Sequence, residues 1–266
     1  MKRAAALLPA LLCACVSLPP ESLDIAHNPS GGLTSGFLDP GPSLHLEPSR
    51  RFLVKAGDFV AAKRVSRQAE QDYERLMAHT GLFSFQPAGL YPIVIYKDSG
   101  EYLRKTSAPA WSGGIAAGNA IYSYEGPELR RTLAHEIVHL IFHEYMGGTG
   151  RLRWFNEGLA VYEESQVLEG AAKREVQDWM ASSHLRPMSF SRMVSYEPGG
   201  PETRAWYGQA ASVVRYMVEV GGRGGVERFL KASRDGAGLD QALAAGFPTL
   251  CADLEGLEKH WLQMKD

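Results

Sequence analysis

Apolar side chains recur at intervals of three and four residues along several stretches of this chain, and such spacing predicts amphipathic helices. The first stretch follows Asp58, a residue type that often caps helices, and extends to about His79. Gly81 then supplies an end signal. The apolar positions on or near one face are Phe59, Ala62, Val65, Ala69, Tyr73, Leu76 and Met77. The pattern therefore predicts one long helix early in the chain.

A different pattern follows this helix. The run Tyr91–Tyr96 is apolar and β-branched, which predicts a strand, and Ser99–Lys105 is predicted to be a short helix. The small residues of Ser112–Gly118 and Asn119–Tyr122 predict a strand pair or one bent strand. A mostly buried helix is expected next, because it carries an apolar stripe made of Leu133, Ile137, Leu140 and Ile141.

The rest of the chain is predicted to be predominantly helical. Helices are expected near residues 156–168, 171–182, 203–220, 225–234, 238–245 and 251–264. The predicted fold class is α+β, with a helix-and-sheet lobe over about residues 51–146 and a mostly helical lobe over about residues 147–266.

The N-terminus has the pattern of an export signal. Met1-Lys2-Arg3 is charged and residues 4–12 are apolar, but this run is too short to span a bilayer. Leu12-Cys13-Ala14-Cys15 resembles a bacterial lipobox, which implies that residues 1–15 form a lipoprotein signal with Cys15 as the lipidated residue. The alternative is an ordinary cleaved signal with two incidental cysteines. Residues 16–50 hold six of the 15 prolines and are predicted to be a spacer.

Composition limits the possible partners. An apolar content of 45% and a charged content of 22% are typical of an ordinary globular protein. The net charge of −2 gives no reason to expect nucleic acid as a partner. Contact with a membrane is expected through a lipid anchor only, and the predicted location is the bacterial cell envelope. Since Cys13 would leave with the signal and Cys15 would carry lipid, Cys251 would have no partner for a disulfide.

The pattern His135-Glu136-Ile137-Val138-His139 carries the clearest chemistry. Residues four apart share a helical face, so both imidazoles can bind one zinc ion, and Glu136 lies beside it as a general base. The alternative is a surface helix with two incidental histidines, but the apolar stripe argues against it because buried histidine and glutamate need partners.

A third ligand is expected downstream, after the glycine-rich turn at residues 147–150. Glu157 lies 18 positions after His139 within Trp154-Phe155-Asn156-Glu157-Gly158-Leu159-Ala160, and Asn156 is a candidate N-cap for a second helix. Here the chain resembles the gluzincins, the thermolysin-like zinc peptidases, and especially their peptidase-MA-type branch. The resemblance implies His135, His139 and Glu157 as the ligands of a single Zn²⁺, Glu136 as the base, and a zinc cleft between the lobes.

Two competing ligands can be set aside on the sequence. His143 continues the same helical face, but it lies about 12 Å along the axis from His135, too far for both to bind one zinc ion. It is predicted to be packed or to support a ligand. A cysteine ligand is also unavailable, because no cysteine lies between Cys15 and Cys251, and Cys251 is predicted to be a small buried residue or to start a helix.

The remaining site residues follow from the resemblance. Similar families place a tyrosine across the cleft, which makes Tyr207 the candidate oxyanion donor, with simple packing beside Trp206 and Tyr216 as the equal alternative. His184 is a weaker candidate and is expected to be an exposed loop residue. Thermolysin-like enzymes often carry an aspartate four residues after the glutamate ligand, where this chain has Val161. Glu164 could support a ligand imidazole, although a solvated charge is the favoured interpretation.

The small-residue segment before the zinc motif is the candidate substrate strand. In zincins an edge strand here can pair with an extended peptide, which makes Gly114, Ile115 and Ala116 candidate substrate-binding residues. Packing of these small residues under the helix is the equal alternative. Related aminopeptidases carry an acidic element upstream, whereas residues 118–122 are not acidic, which favours an endopeptidase.

The leading hypothesis is a lipid-anchored zinc metallopeptidase that acts on peptides or proteins. The alternative is a non-catalytic binding lipoprotein that is braced by zinc. Glu136 argues against it, because a purely structural site needs no base and is usually closed by four protein ligands.

Overall fold

The computed structural model describes residues 44–148 and 152–264. The predicted signal, Cys15, most of the predicted spacer and residues 149–150 of the glycine-rich turn lie outside these ranges. The predicted α+β class is confirmed, because a small N-terminal sheet with its helices precedes a helical half. None of the helices in the described ranges is both long enough and apolar enough to cross a bilayer.

Five strands form one mixed sheet in the order β1-β2-β3-β5-β4. They are β1 (His45–Pro48), β2 (Phe52–Ala56), β3 (Tyr91–Tyr96), β4 (Gly114–Ala117) and β5 (Ala120–Tyr124). The central pairs β2–β3 and β3–β5 are parallel, and the outer pairs are antiparallel. The predicted strand at Tyr91–Tyr96 and the predicted strand pair before the zinc motif are confirmed.

The start of the domain differs from the prediction. The boundary at residue 51 is too late, because His45–Pro48 within the predicted spacer forms β1 and pairs with β2. Neither strand was predicted. The short segment 45–48 shows no clear alternation of its own, and its place in the sheet depends on pairing with β2, in which Phe52 and Val54 are fully buried.

The first helices agree with the prediction. α1 (Phe59–Thr80) begins at Asp58, whose carboxylate accepts a 2.8 Å hydrogen bond from the Ala61 amide. It ends at Gly81, whose φ of 74° is easy only for glycine. α2 (Ser99–Thr106) follows β3. α3 (Leu129–Met146), which carries the zinc motif, is buried on nearly every side, as the apolar stripe predicts.

The second half consists of seven α-helices and one short 3₁₀ turn in the described ranges. They are α4 (Arg153–Gln166), α5 (Gly170–Ser182), the 3₁₀ turn Ser183–Leu185, α6 (Phe190–Ser195), α7 (Thr203–Glu219), α8 (Gly222–Arg234), α9 (Leu239–Gly246) and α10 (Leu254–Leu262). Helix α6 was not predicted. α10 begins three residues later than predicted, because Asp253 caps it. Cys251 lies buried just before this cap, and burial raises the pKa of its thiol to about 11.

The helical half is attached to the sheet by one continuous apolar core. Its largest cluster reaches from Phe52 on β2 to Trp261 on α10 and includes Ile137, which lies between His135 and His139, and Phe155 on α4. Helices α3 and α4 run antiparallel, since Arg131 meets Glu164 while His139, further along α3, meets Asn156. Helix α4 packs against both α3 and α7. The segment from His135 to His139 therefore lies on a helix that is part of the core and packs against other core helices.

Gly158 sets the spacing between α4 and α7. A Cβ atom at this position would lie 2.5 Å from the Ala210 carbonyl oxygen and 2.7 Å from its carbon, both of them backbone atoms that cannot rotate away. The glycine after Glu157 therefore allows two helices to pack closer than any larger residue would permit.

We expect Gly158→Ala to lower the free energy of unfolding by about 1–3 kcal/mol, because overpacking forces the backbones apart. Urea unfolding followed by circular dichroism measures this. The matched control is Gly224→Ala in α8, where a Cβ meets only an ordinary 3.5 Å contact with Arg228. It should leave stability unchanged or slightly raised. Equal stability of Gly158→Ala and the wild type would contradict this close approach.

Candidate metal centre

Helix α3 places both histidines of the motif on one buried face. His135 and His139 are one turn apart, and their rings meet edge to face with centroids 4.7 Å apart. Their exposed fractions are 1% and 7%, and that of Glu136 is 1%. These polar groups are therefore withdrawn from bulk water. In such a buried position, an unpaired charge or a hydrogen-bond donor without an acceptor costs free energy.

Glu157 on α4 completes the group. One ligand atom from each of His135, His139 and Glu157 lies within 4.8 Å of the others. The Glu157 Oε2 atom is 4.0 Å from His135 Nε2 and 3.6 Å from His139 Nε2, too far for hydrogen bonds. The three residues that the sequence predicts as ligands are thus brought together.

The group fits a metal ion on two grounds. The Nε2 atoms of both histidines are buried and have no hydrogen-bond partner among the described residues. Tetrahedral zinc with bonds near 2 Å separates its ligand atoms by roughly 3.4 Å, close to the spacing found. A metal ion would meet both imidazole nitrogens at once, and three protein ligands would leave the fourth position open, as in catalytic rather than structural zinc sites.

The other nitrogen of His135 is held by a carboxylate. His135 Nδ1 lies 3.1 Å from Glu164 Oε2, and Glu164 is only 4% exposed. Burial lowers the pKa of His135, but Glu164, helped by Glu136 and Glu157, outweighs it and raises that pKa to about 9. For Glu164, burial acts to raise the pKa, but His135 and Arg131 outweigh burial and hold this pKa below its usual value. The expectation that Glu164 is a solvated charge is wrong.

The other nitrogen of His139 is held by an amide. His139 Nδ1 lies 3.1 Å from Asn156 Oδ1. Asn156 is therefore not the N-cap that the sequence suggested. α4 begins three residues earlier at Arg153, after Leu152 with a φ of 59°. Because its side chain is occupied by the imidazole, Asn156 serves the metal group instead of the helix end.

Strand β4 packs directly against Thr132 and Glu136 of α3. A Cβ atom on Gly114 would be 2.5 Å from Thr132 Cγ2 and 3.5 Å from Glu136 Cγ. Only glycine lets this edge strand approach α3 so closely. Ile115 is buried, in a cluster with Val94 and Tyr122, so its side chain packs inward. Ala116 is partly exposed. Substrate binding along Gly114, Ile115 and Ala116 stays a prediction, and it would use the backbone of this strand.

The comparison with protein families bears on most of the chain. The family model described as the peptidase MA superfamily matches residues 68–265. The chain belongs to the peptidase MA superfamily. No curated protein gives a significant match to the chain. The family match begins inside α1, so it includes all three residues of the metal group and leaves β1 and β2 outside.

Membership in the peptidase MA superfamily supports part of the sequence interpretation. Members are generally zinc-dependent, which agrees with a buried group of two histidines and one glutamate that can bind a metal. The family also indicates peptidase chemistry and peptide or protein substrates. The finer assignment to the thermolysin-like gluzincins stays a prediction.

Tyr207 is the fifth residue of α7, near the start of that helix. Its side chain is partly buried and its ring meets Trp206 edge to face, with centroids 5.0 Å apart. It also packs against the apolar cluster of Val161 and Met180. The packing beside Trp206 that the sequence analysis offered as an alternative is therefore present. The oxyanion role of Tyr207 stays a prediction.

The two other candidate histidines lie apart from this group. His143 is exposed at the end of α3, so the expectation of a packed or supporting residue is wrong, since the helix face on which it lies runs out of the core there. His184 is not an exposed loop residue either. It lies in the 3₁₀ turn, partly buried, and stacks on Trp261 with centroids 4.0 Å apart.

Arg131 is the residue near the site that the sequence analysis missed. It lies one turn before His135 and donates from Nε to Glu164 Oε1 at 2.7 Å. The spacing along the two helices is the signal that points to it. Arg131 lies eight residues before His139 on α3, and Glu164 lies eight residues after Asn156 on α4. In antiparallel helices, equal steps place Arg131 opposite Glu164 when His139 faces Asn156.

Proposed function

We propose that the chain is a zinc metallopeptidase in which His135, His139 and Glu157 hold the metal and Glu136 is the general base. One observation carries this proposal. Two buried imidazole nitrogens that have no hydrogen-bond partner within the described ranges converge with a carboxylate oxygen within 4.8 Å, and a buried glutamate lies between the two histidines on the same helix.

Each protein group has a task in the proposed reaction. Zinc, when bound there, lowers the pKa of water and polarises the scissile carbonyl. The Glu136 carboxylate takes the proton of the attacking water and passes it to the nitrogen of the leaving amine. Strand β4, at the edge of the sheet, would pair with the substrate backbone. Tyr207 would donate a hydrogen bond to the developing oxyanion.

The proposed enzyme is an endopeptidase of the thermolysin-like kind. The support is the lack of acidic residues at positions 118–122, where related aminopeptidases carry a group that binds the free amine. On sequence alone, we also propose that the protein is exported and held at the bacterial cell envelope by a lipid on Cys15.

We expect the purified protein to contain about one zinc ion per chain, the number that a single three-ligand catalytic site takes up, and to cleave an unstructured protein such as casein. A chelator that removes the metal should abolish cleavage, and an equimolar amount of zinc should restore it. Metal content by atomic emission and cleavage by gel and mass spectrometry measure both. Zinc at full occupancy without cleavage of any unstructured substrate would indicate instead a zinc-braced binding protein.

A further inference from the structure

Glu164 divides its two oxygens between a cation and the imidazole of a proposed metal ligand. Its Oε2 faces His135 Nδ1 at 3.1 Å, and its Oε1 accepts from Arg131 Nε at 2.7 Å and also from Arg131 Nη2. Arg131 is held from the other side by Glu128, whose Oε2 accepts from Nη1 at 3.0 Å. Three side chains thus form a line that ends at His135.

These contacts determine which ring nitrogen of His135 is available to a metal ion. For Nε2 to bind a metal, the ring proton must be on Nδ1, where it donates to a fixed acceptor. A carboxylate that accepts hydrogen bonds from two nitrogens of one guanidinium is held in a fixed orientation, so its other oxygen stays directed at His135. The acceptor for His139 is different, since Asn156 is neutral. The two proposed ligands therefore have unequal support.

The carboxylate that meets His135 does not come from the position four residues after Glu157, which is Val161. Val161 stands where thermolysin-like enzymes often have an aspartate, and it is buried against Met180 and Ala211. A carboxylate there would face apolar side chains without a partner, at a cost in stability. Glu164, one turn further along α4, meets two groups of α3 instead, His135 at 3.1 Å and Arg131 at 2.7 Å.

We propose that Arg131, which lies one turn before His135 on α3, is a positioning residue that sets the metal affinity by fixing Glu164 against His135. This inference rests on the proposed zinc site. It assigns to Arg131 a function that a purely structural salt bridge would not require. A salt bridge with only a packing role would influence stability and leave the metal unaffected.

The neighbouring residue provides a matched control. Arg130 also lies on α3 and also pairs with a buried carboxylate, Asp72, which is 1% exposed. Asp72 receives a second contact from Arg75 on α1 and has no part in the metal group. Removing either arginine leaves one buried carboxylate with fewer partners, but only Arg131 is connected to His135.

The test compares the full chain with Arg131→Met, Arg131→Lys, Glu164→Gln and Arg130→Met. Zinc affinity is measured by competition with a chromophoric chelator, and the site is monitored by the visible absorption spectrum of the cobalt-substituted protein. We expect Arg131→Met and Glu164→Gln to weaken zinc binding by about 10–100-fold and to change the cobalt spectrum. Arg131→Lys should recover part of the affinity, and Arg130→Met should lower thermal stability with zinc affinity within about twofold.

Each other outcome overturns the inference. Wild-type affinity and an unchanged cobalt spectrum in Arg131→Met would show that the arginine only packs. An equal loss of affinity in Arg130→Met would show that general destabilisation is the cause. Should Arg131→Met not fold, Arg131→Gln, which removes the positive charge but keeps a polar end, takes its place, and wild-type affinity with an unchanged cobalt spectrum in that variant would equally overturn the inference. A wild-type chain that binds no zinc would instead remove the proposed function itself, before any variant is compared.

Discussion

Replacing Glu136 with glutamine should lower the turnover of a peptide substrate by at least about a hundredfold, because general base catalysis contributes roughly 10²–10⁴ to a rate. Glutamine keeps the shape of the side chain but cannot accept a proton at neutral pH. Its position against Gly114 should be retained, so the substrate strand is undisturbed. Zinc content should stay at the wild-type level, since Glu136 is not one of the three converging ligand residues.

The control for this variant is Glu144→Gln on the same helix. Glu144 accepts hydrogen bonds from the Ala88 amide and the Tyr91 hydroxyl, away from the metal group. We expect it to change stability modestly and turnover little. Turnover would be measured as kcat on a fluorogenic peptide, with zinc measured in the same samples. Undiminished kcat in Glu136→Gln at full zinc occupancy would remove Glu136 from the proposed mechanism.

The sequence predicted the parts of this site that depend on local geometry. Helical spacing alone places His135 and His139 on one face, and the burial of α3 follows from its own apolar stripe. The reversal that brings Glu157 back to α3 could be anticipated because a glycine-rich turn separates two helical segments. The strand pair before α3 could be predicted because its pairing partners are neighbours in the chain.

Several of the missed features depend on contacts between distant segments. β1 and β2 are four and five residues long, and β2 is fixed by parallel pairing with β3, across the whole length of α1. Asn156 has the chemistry of a helix cap, so its local preference is misleading while its contact with His139 decides its role. Glu164 has the same ambiguity, since its burial depends on Arg131 and His135, which face it from α3.

Replacing Glu157 with alanine should weaken zinc binding more than any change to the supporting residues. Loss of a group that merely supports a ligand typically costs 10–100-fold in metal affinity, so loss of a direct ligand should cost about 100-fold or more. Two imidazoles on one helix would remain, and the Nε2 atoms of both would have no carboxylate across from them. Turnover should fall in parallel with occupancy and recover partly at high zinc concentration.

The neighbouring carboxylate Glu163 separates this effect from simple loss of a buried charge. It is on α4 and 1% exposed, but it pairs with Arg75 and His79 and does not belong to the metal group. Glu163→Ala should lower thermal stability, because Arg75 and His79 both lose a buried carboxylate partner, while zinc affinity stays near that of the wild type. Calorimetric zinc titration of the two apo variants makes the comparison direct. If Glu163→Ala lost zinc as severely as Glu157→Ala, the loss would be explained by general damage to α4. The result would then contradict Glu157 as a direct metal ligand.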